Sequence, residues 1–487
     1  MKNPINRREF LKHAALAALF PSSVSVSGAQ KHHRPSTRKR IVIIGAGLAG
    51  LSAAYELTQA GHDVMVLEAR TRAGGRVYTL REPFSDGLYA EAGAAHIPDI
   101  HYQTIRYARL FGLTLVPFSP YGQSDTSYLR GKRIKVPAGR HIELSSLPLS
   151  LKPEERKGGV PGLWERYVTP VLTEIGRPKT KGWLSESLRK FDRLTFAELL
   201  RECGASSDAI ALLEMPYYKP EDDQISALWW LREAALLKDQ KLDYKIKGGN
   251  DLLPKAFAKR LATKIHYGAE VVRIEHDRQS VTITYHQAGT TRQLSTDYLV
   301  CATPFTTLRR IEISPPFSSD KQQAINHHAY DSVTRVFLQT NQRSWEKEGV
   351  SGFARTDLPE EIWHPTFDQT GKRGILVSYR SGVQARQLSA LSEKDRISAV
   401  SNQLEQVFPG LSETLESGVS YCWDEDQWAC GAYSILKPGE MFSLFPHIAR
   451  PEGRVYFAGE HTSMWPGWMQ GALDSGNRVT QEIILAP

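Results

Sequence analysis

A glycine-rich run early in the chain is followed by an acidic residue at a defined position. The run Gly45–Gly50 reads GAGLAG, and Glu68 comes after it at the end of a second apolar stretch. In this pattern Gly45 makes a tight turn, Gly47 lets the backbone approach a pyrophosphate, and Gly50 lets a helix pack closely on a strand. A carboxylate in the place of Glu68 accepts hydrogen bonds from ribose hydroxyls. These residues predict a dinucleotide-binding site.

The segments around the glycines match the elements that such a site needs. Residues 41–44 form a continuous β-branched run, which is typical of a parallel strand buried on both faces. Residues 51–60 are predicted to be helical. The free N–H groups at the N-terminus of this helix face the phosphates, and Leu48 and Ala49 just before it are expected to contact the cofactor. A second strand is predicted over 64–67. This order favours a nucleotide-binding unit but does not separate NAD from FAD.

The residues after Glu68 distinguish FAD from NAD as the cofactor. The run 68–76 reads EARTRAGGR and resembles the flavin amine oxidase superfamily, which includes monoamine, polyamine and L-amino-acid oxidases. The resemblance implies FAD as the cofactor. Paired glycines let the backbone lie close to the cofactor, and an arginine can neutralise phosphate charge. The residues of this run expected to bind FAD, besides Glu68, are Ala69, Arg70, Gly74, Gly75 and Arg76.

Further segments extend the resemblance over most of the chain. The matching segments are 89–98 (YAEAGAAHIP), 246–250 (IKGGN), 271–274 (VVRI), 298–304 (YLVCATP), 455–461 (VYFAGEH) and 467–472 (GWMQGA). Both ends of the chain are therefore expected to build one cofactor site. The FAD contacts that these segments imply are Gly93, Ala94, Ala95, His96, Val271, Gly459, Glu460, Trp468 and Met469.

The resemblance also implies the fold. We expect an α/β protein with a Rossmann-like FAD-binding domain, an α+β substrate domain with a mixed sheet, and a helical insertion. The expected organisation is a FAD-binding domain from 40–100, 245–310 and 415–487, a substrate domain from 101–144 and 311–414, and a helical insertion at 145–240.

Aromatic residues are the expected walls of the substrate pocket. The flavin accepts the hydride in this family, so the protein supplies orientation and a dry, shaped cavity. Tyr433 and Trp468 match the two walls of the family's aromatic cage, and Tyr379 matches a position lining the cavity. We expect Tyr433, Trp468 and Arg335 to have catalytic roles.

Two departures from the amino-acid oxidases bear on the substrate. His96 stands where those enzymes carry an arginine for the substrate carboxylate, and Trp363-His364 stands near a position where they carry a tyrosine. Loss of a bidentate donor weakens carboxylate recognition. An amine is therefore favoured over an α-amino acid. L-amino-acid oxidation remains the alternative, with protonated His96 or His364 as donors.

Two other departures concern the flavin. Arg335 takes the place of the lysine that holds a water against the flavin in most relatives, which brings oxygen into question as the electron acceptor. A dehydrogenase that passes electrons to a quinone or a carrier is the alternative. Ala432 precedes Tyr433, where monoamine oxidases carry the cysteine that binds FAD covalently. The FAD is therefore expected to be non-covalent. A flavin-binding protein without turnover, or a desaturase acting on isoprenoids, does not account for the paired aromatic residues.

The first residues resemble a targeting signal. Arg7-Arg8 is followed by an apolar run over 13–20 and by small residues at 27–29, as in a twin-arginine signal peptide. Residues 1–29 are expected to direct export of the folded, cofactor-loaded protein to the periplasm or the medium, and 30–39 to be a basic linker. The apolar run is too short to span a bilayer, which takes about 20 residues.

Composition bears on whether the protein binds nucleic acid or a metal ion. The chain has 487 residues and a net charge of +8, without a basic stripe of the kind that binds nucleic acid. Its 4 cysteines are scattered and do not predict a metal site. The expected partners are a small amine or amino acid and an electron acceptor such as O2, and a homodimer is left open.

Overall fold

The computed structural model describes residues 38–178, 182–215, 225–358 and 361–487. The expected signal peptide at 1–29 and most of the expected linker at 30–39 lie outside the described residues. Within the described part, no helix has both the length and the apolar character needed to cross a membrane.

The strands are numbered in chain order. They are β1 (Arg40–Ile44), β2 (Asp63–Glu68), β3 (Thr79–Leu80), β4 (Ala90–Glu91), β5 (Ile97–Pro98), β6 (Leu115–Pro117), β7 (Ser124–Leu129), β8 (Lys132–Val136), β9 (Asp243–Ile246), β10 (Ile265–Tyr267), β11 (Glu270–His276), β12 (Val281–Gln287), β13 (Thr290–Thr296), β14 (Tyr298–Cys301), β15 (Glu312–Ser314), β16 (Ala329–Asp331), β17 (Val333–Thr340), β18 (Val350–Thr356), β19 (Glu361–Trp363), β20 (Gly374–Ser381), β21 (Leu415–Cys422), β22 (Tyr433–Ile435) and β23 (Val455–Phe457).

The α-helices are numbered in the same way. They are α1 (Leu48–Gln59), α2 (Tyr102–Leu110), α3 (Gly159–Tyr167), α4 (Thr169–Ile175), α5 (Arg189–Asp192), α6 (Phe196–Glu202), α7 (Ser207–Glu214), α8 (Ala227–Leu237), α9 (Leu252–Arg260), α10 (Phe305–Leu308), α11 (Ser319–His327), α12 (Ser344–Lys347), α13 (Gly382–Ser389), α14 (Glu393–Val407), α15 (Leu411–Thr414), α16 (Glu440–Ser443), α17 (Phe445–Ile448) and α18 (Met469–Leu485).

A parallel sheet of five strands, in the order β10-β2-β1-β14-β23, carries the predicted dinucleotide site. The side chains of β1 alternate between two apolar clusters, which explains its continuous β-branched sequence. A Cβ at Gly50 would lie 2.0 Å from the carbonyl oxygen of Gly45, so glycine allows α1 to start this close to β1. The predicted α/β class is confirmed.

A mixed sheet of seven strands, in the order β21-β17-β20-β19-β18-β7-β8, forms the second layer around the site. Strand β21 pairs with β17 over almost its whole length. The sequence assigned this stretch to the last FAD-binding segment, 415–487, but the structure places it in the seven-stranded sheet. Strand pairing between segments so far apart in the chain is set by tertiary packing, which one sequence does not reveal.

Helices α3 to α8 occupy the region predicted to be a helical insertion. Helix α6 begins with a capping box, in which the Thr195 side chain accepts from the Glu198 backbone and the Glu198 carboxylate accepts from the Thr195 backbone. Helix α8 begins at the N-cap Ser226, whose hydroxyl accepts a hydrogen bond from the backbone N–H of Trp229. Arg232 and Glu233 of α8 form hydrogen bonds with Met464 and Trp468, so α8 lies next to the C-terminal segment.

Candidate active site

A cavity of about 1130 Å³ lies between the parallel sheet, the seven-stranded sheet and helix α8. Its walls come from both ends of the described chain. The predicted cofactor residues that line it are Gly45, Gly47, Leu48, Ala49, Glu68, Ala69, Arg70, Gly74, Gly75, Arg76, Gly93, Ala94, Ala95, His96, Val271, Gly459, Glu460, Trp468 and Met469. Gly50 lies behind this wall, in the first turn of α1, where it packs against Gly45 and Ile43.

One end of the cavity has the geometry of a phosphate cradle. Gly47 lies directly before α1, and a Cβ built on it meets no atom within 4 Å. The Glu68 carboxylate accepts hydrogen bonds from the backbone N–H of Ala46 at 2.6 Å and of Arg70 at 2.8 Å. Burial raises the pKa of Glu68, and these two bonds favour the ionised form. The carboxylate therefore fixes the loop that faces the open space beside Gly47.

The partly exposed Arg76 and the buried Glu460 form an ion pair across the cavity wall. Arg76 Nη1 lies 2.8 Å from Glu460 Oε1, and Oε2 accepts hydrogen bonds from the Ser434 hydroxyl and the Gly467 N–H, each at 2.8 Å. Burial opposes ionisation of Glu460, but the charge of Arg76 and these hydrogen bonds outweigh it and lower its pKa to about 2. We expected Arg76 to neutralise phosphate charge, but its guanidinium also neutralises the Glu460 carboxylate.

A row of four polar side chains crosses the seven-stranded sheet. Arg335 pairs with Tyr379, Tyr379 with Glu361, and Glu361 with Arg355, on the adjacent strands β17, β20, β19 and β18. All four line the cavity, so they share one face of the sheet. The row runs from Arg335, which is 7% exposed, to the exposed Arg355.

The Arg335 guanidinium is held by backbone carbonyls. Nη1 donates to the carbonyl oxygens of Glu91 at 2.6 Å and Gly93 at 2.5 Å. Burial lowers the pKa of Arg335, while the nearby Tyr379 and Glu91 favour its charged form. Arg335 is therefore a fixed cation in the floor of the cavity.

Glu361 has a different environment from Arg335. Burial raises the pKa of Glu361, while His96, Arg355 and Arg335 favour its ionised form. Among the described residues, no donor forms a hydrogen bond or an ion pair with its carboxylate. Glu361 therefore presents an unpaired carboxyl group to the cavity.

Aromatic residues form much of the remaining wall. The hydroxyl oxygens of Tyr379 and Tyr433 are 3.2 Å apart, and the ring of Tyr379 lies 5.6 Å from that of Trp363. A Cβ at Gly467 would touch the ring of Tyr433 at 3.6 Å, which places the residue before Trp468 against Tyr433. The structure thus brings the four aromatic residues predicted to bind substrate to one cavity: Trp363, Tyr379, Tyr433 and Trp468.

The two histidines that we predicted near the substrate have different positions. His96 lines the cavity, with Nδ1 2.6 Å from Asp243 Oδ2 and its ring 3.7 Å from that of Phe118. His364 does not line the cavity. It is fully buried, packs on Trp345 at 4.9 Å, and lies 3.3 Å from the carbonyl oxygen of Ser351.

The prediction that His364 is a substrate donor is therefore wrong. Neighbouring residues at the end of a strand point to opposite faces, and Trp363 takes the cavity face. Burial lowers the pKa of His364 to about 3, which opposes the protonated form that a carboxylate would need.

Sequence analysis missed several charged residues of the cavity, and three of them bear on the choice of substrate. They are Glu233 on α8, and Glu361 and Arg355 on the seven-stranded sheet. A signal for Glu361 was present, because it lies two residues before Trp363 and so faces the same side of a strand. Glu233 interrupts an apolar helix and lies one turn after Trp229, which is also on the cavity wall.

Comparison with known proteins settles the family. The profile described as flavin containing amine oxidoreductase matches residues 48–484. The chain belongs to this family. A Bacillus subtilis (strain 168) protein, provisionally named L-amino-acid oxidase YobN, is 34% identical over 92% of this chain and 95% of its own length. The L-amino-acid oxidase of Pseudechis australis is 30% identical over 93% of this chain and 88% of its own length.

Solved structures of the family have the same fold. Cyclohexylamine oxidase from Brevibacterium oxydans IH-35A has a TM-score of 0.79 and 22% identity, covering 92% of this chain and 99% of that one. A putrescine oxidase bound to putrescine has a TM-score of 0.78 and 22% identity, covering 92% and 100%. At this identity the likeness concerns the fold.

The chain is therefore a FAD-dependent oxidoreductase of the amine oxidase family, as the sequence predicted. The residues present fit the cofactor. The open space beside Gly47 has room for a pyrophosphate at the start of α1, and glycine backbone lines it on more than one side. Glu68, Arg70 and Arg76 line the cavity and are the charged residues that would hold the cofactor there.

Proposed function

We propose that this enzyme oxidises an amine without an α-carboxylate. The product is an imine, which water converts to an aldehyde and ammonia or a smaller amine, and O2 is reduced to hydrogen peroxide. The observation that carries the proposal is the unpaired Glu361 carboxyl group on the cavity wall. A substrate carboxylate beside the ionised form of Glu361 would meet like charge in a poorly solvated space.

The position of His96 supports the same substrate class. Where amino-acid oxidases carry an arginine, this chain has an imidazole whose Nδ1 is already engaged with Asp243. Asp243 adds a further negative charge to the cavity wall. A bidentate contact with a carboxylate is not available from one remaining ring nitrogen.

The side chains of the cavity orient the substrate and exclude water. When bound, FAD supplies the acceptor for the hydride from the carbon beside nitrogen. Tyr433 and Trp468 hold the amine between rigid aromatic walls, and the hydrogen bond between Tyr379 and Tyr433 limits rotation of the Tyr433 hydroxyl. The neutral amine, which has a lone pair to release, is the form that reacts, and a dry aromatic cavity favours it once the arriving ammonium has lost its proton to solvent.

L-amino-acid oxidation is the second candidate. Arg355 lines the cavity beside Glu361 and offers a guanidinium for a carboxylate. Relatives that carry the name L-amino-acid oxidase share 30–34% identity with the chain. In the first function Glu361 repels substrates that carry a carboxylate. In the second, Arg355 binds the carboxylate of an amino acid.

Anaerobic reduction of the bound flavin separates the candidates. The holoenzyme is mixed with matched pairs such as phenethylamine and L-phenylalanine, and bleaching of the flavin absorbance is followed by stopped flow. We expect the amine to reduce the flavin at least tenfold faster. Faster reduction by L-phenylalanine would establish the second candidate, and no reduction by either across a panel of pairs would reject both.

Oxygen as the acceptor needs its own measurement. Arg335 is bound to two backbone carbonyls and supplies a fixed positive charge in the cavity. A fixed cation stabilises the negative charge that forms when O2 is reduced. Air admitted to the reduced enzyme should restore the flavin spectrum within seconds and yield one hydrogen peroxide per flavin. Reoxidation by a quinone alone would instead assign a dehydrogenase.

We also propose export through the twin-arginine pathway, on the strength of Arg7-Arg8 and the short apolar run at 13–20. Replacing both arginines by lysine should leave folded, yellow precursor in the cytoplasm. Unchanged accumulation of that variant outside the cytoplasm would reject this route.

A further inference from the structure

Glu233 connects the helical region to the aromatic wall of the cavity. It lies on α8, and its Oε1 accepts a hydrogen bond of 2.8 Å from the indole Nε1 of Trp468. The indole also lies 4.8 Å from the ring of His101. A side chain from a separate region of the chain therefore fixes the orientation of an expected cage residue.

The second oxygen of the Glu233 carboxylate is open to the cavity. Glu233 is part of the cavity wall, and within the described part of the chain no donor contacts its Oε2. The neighbouring Arg232 does not pair with it. Arg232 donates to the carbonyl oxygen of Met464 at 3.2 Å and lies 3.9 Å from the ring of Trp229.

The surroundings of Glu233 are suited to a cation. Trp229 and Trp468 both line the cavity, the Trp468 indole is bonded to Glu233, and aromatic faces attract cations. A carboxylate that accepts the indole N–H also increases the electron density of that ring. Burial raises the pKa of Glu233, while Arg232 and the indole hydrogen bond favour its ionised form.

An ionised carboxylate in this position is costly without a cationic partner. The positive charge of Arg232 interacts electrostatically with the carboxylates of both Glu233 and Glu460. On the cavity side, the position beside Oε2 is open to a ligand. An ammonium group placed there would satisfy the carboxylate and lie against Trp468.

We propose that Glu233 is the ammonium-binding residue of the substrate cavity. One carboxylate oxygen holds the Trp468 indole, and the other binds the positively charged nitrogen of the arriving amine. This inference rests on the proposed function, since it assigns how the same cavity selects protonated amines over neutral molecules of equal shape.

A pair of ligands that cannot be oxidised tests the proposal. Cumylamine carries an ammonium group but no hydrogen on the carbon beside nitrogen, and cumyl alcohol is a neutral molecule of the same shape. Each is titrated into the FAD-loaded enzyme at pH 7.5, and binding is measured from the change in flavin absorbance. We expect the wild-type enzyme to bind cumylamine at least tenfold more tightly.

Glu233→Gln separates charge from positioning. Glutamine keeps an oxygen that accepts the Trp468 N–H but removes the negative charge. The preference for cumylamine should fall to within twofold, and the Kd of cumyl alcohol should stay within twofold of wild type. The control Glu165→Gln neutralises another cavity acid, an exposed one on α3, and should keep the tenfold preference.

The reciprocal variant is Trp468→Phe, which removes the indole donor and keeps the carboxylate. It should retain a cation preference of severalfold, so the proposal stays testable even if Glu233→Gln does not fold. A preference that survives in Glu233→Gln, or is lost in Trp468→Phe, or is absent from the wild type, overturns the assignment. A different result is a cation preference that depends on Glu233 while no amine reduces the flavin. That result would reject the proposed function but would retain Glu233 as an ammonium-binding residue.

Discussion

Arg76 Nη1 and Glu460 Oε1 are 2.8 Å apart, although 384 residues separate the two side chains in the sequence. Arg76 follows the first glycine-rich segment, and Glu460 follows β23 at the edge of the parallel sheet. Their pairing joins the two ends of the described chain at the cofactor end of the cavity. The wall is complete only when both segments have folded, so this ion pair links cofactor binding to the integrity of the fold.

Glu460→Gln should lower stability in a pH-dependent way. The pKa of Glu460 is about 2 against an ordinary value of 4.5. Its ionised form therefore stabilises the fold above about pH 4.5, and this contribution is lost as the pH falls toward 2. A shift from 4.5 to about 2 corresponds to roughly 3 kcal/mol. The thermal midpoint of the variant should lie about 5 °C below wild type at pH 7. The difference should narrow at pH 3.5, and a constant difference would contradict the assignment.

Gly47→Val should abolish FAD binding and leave the apoprotein folded. A side chain at Gly47 enters open space, with φ at −72°, so the protein itself is not strained. The valine would occupy the volume that the pyrophosphate needs. Absorbance at 450 nm and the thermal midpoint of the apoprotein measure the two effects.

Gly50→Ala is the matched contrast to Gly47→Val. Its Cβ would lie 2.0 Å from the Gly45 carbonyl oxygen, so this smaller change should reduce soluble, folded protein. A full flavin spectrum in Gly47→Val would remove Gly47 from the cofactor site.

Sequence reasoning identified the cofactor end of the cavity because its residues lie in contiguous motifs. Gly45, Gly47 and Glu68 are separated by one helix and one strand, and local order alone nearly determines their geometry. Glu460 was found through a short motif, but its pairing with Arg76 was not, since sequence spacing does not specify which distant segments meet.

The substrate end was less predictable. Glu233 and Glu361 lie in an ordinary helix and a short strand, and their distance from the cavity depends on how those elements pack. The error at His364 had a local cause. The alternation of side chains along a strand already implied that Trp363 and His364 could not both face the substrate.

All of the FAD should be released when the enzyme is denatured in acid. Ala432 carries no nucleophile, and Cys430 is absent from the cavity wall, with its Sγ 2.7 Å from Arg310 Nη2. After precipitation and centrifugation, we expect the yellow colour in the supernatant. Flavin that remains with the pellet and with a tryptic peptide would show a covalent bond.

His96→Arg should shift the enzyme toward L-amino acids. An arginine there can keep the contact with Asp243 and direct further N–H donors into the cavity. A charge-assisted contact contributes roughly 1.5–3 kcal/mol, so the ratio of kcat/KM for L-phenylalanine to that for phenethylamine should rise about tenfold or more. His96→Gln, which adds no charge, should leave the ratio within threefold. An unchanged ratio in His96→Arg would separate this position from the substrate.

Glu361→Gln tests the charge that carries the proposed substrate class. Glu361 lies between Tyr379 and Arg355 in the cross-strand row, and no donor among the described residues neutralises it. Removing its charge leaves Arg355 unopposed, so the kcat/KM ratio of L-phenylalanine to phenethylamine should rise about tenfold, or ~1.4 kcal/mol. Arg355→Gln changes the opposite charge one strand away and should lower the same ratio. The two substitutions change the net charge of the cross-strand row in opposite directions. A general loss of cavity shape would therefore not produce both results. A fall in the ratio for Glu361→Gln would mean that Glu361 helps to bind amino acids, and the enzyme would then be an L-amino-acid oxidase.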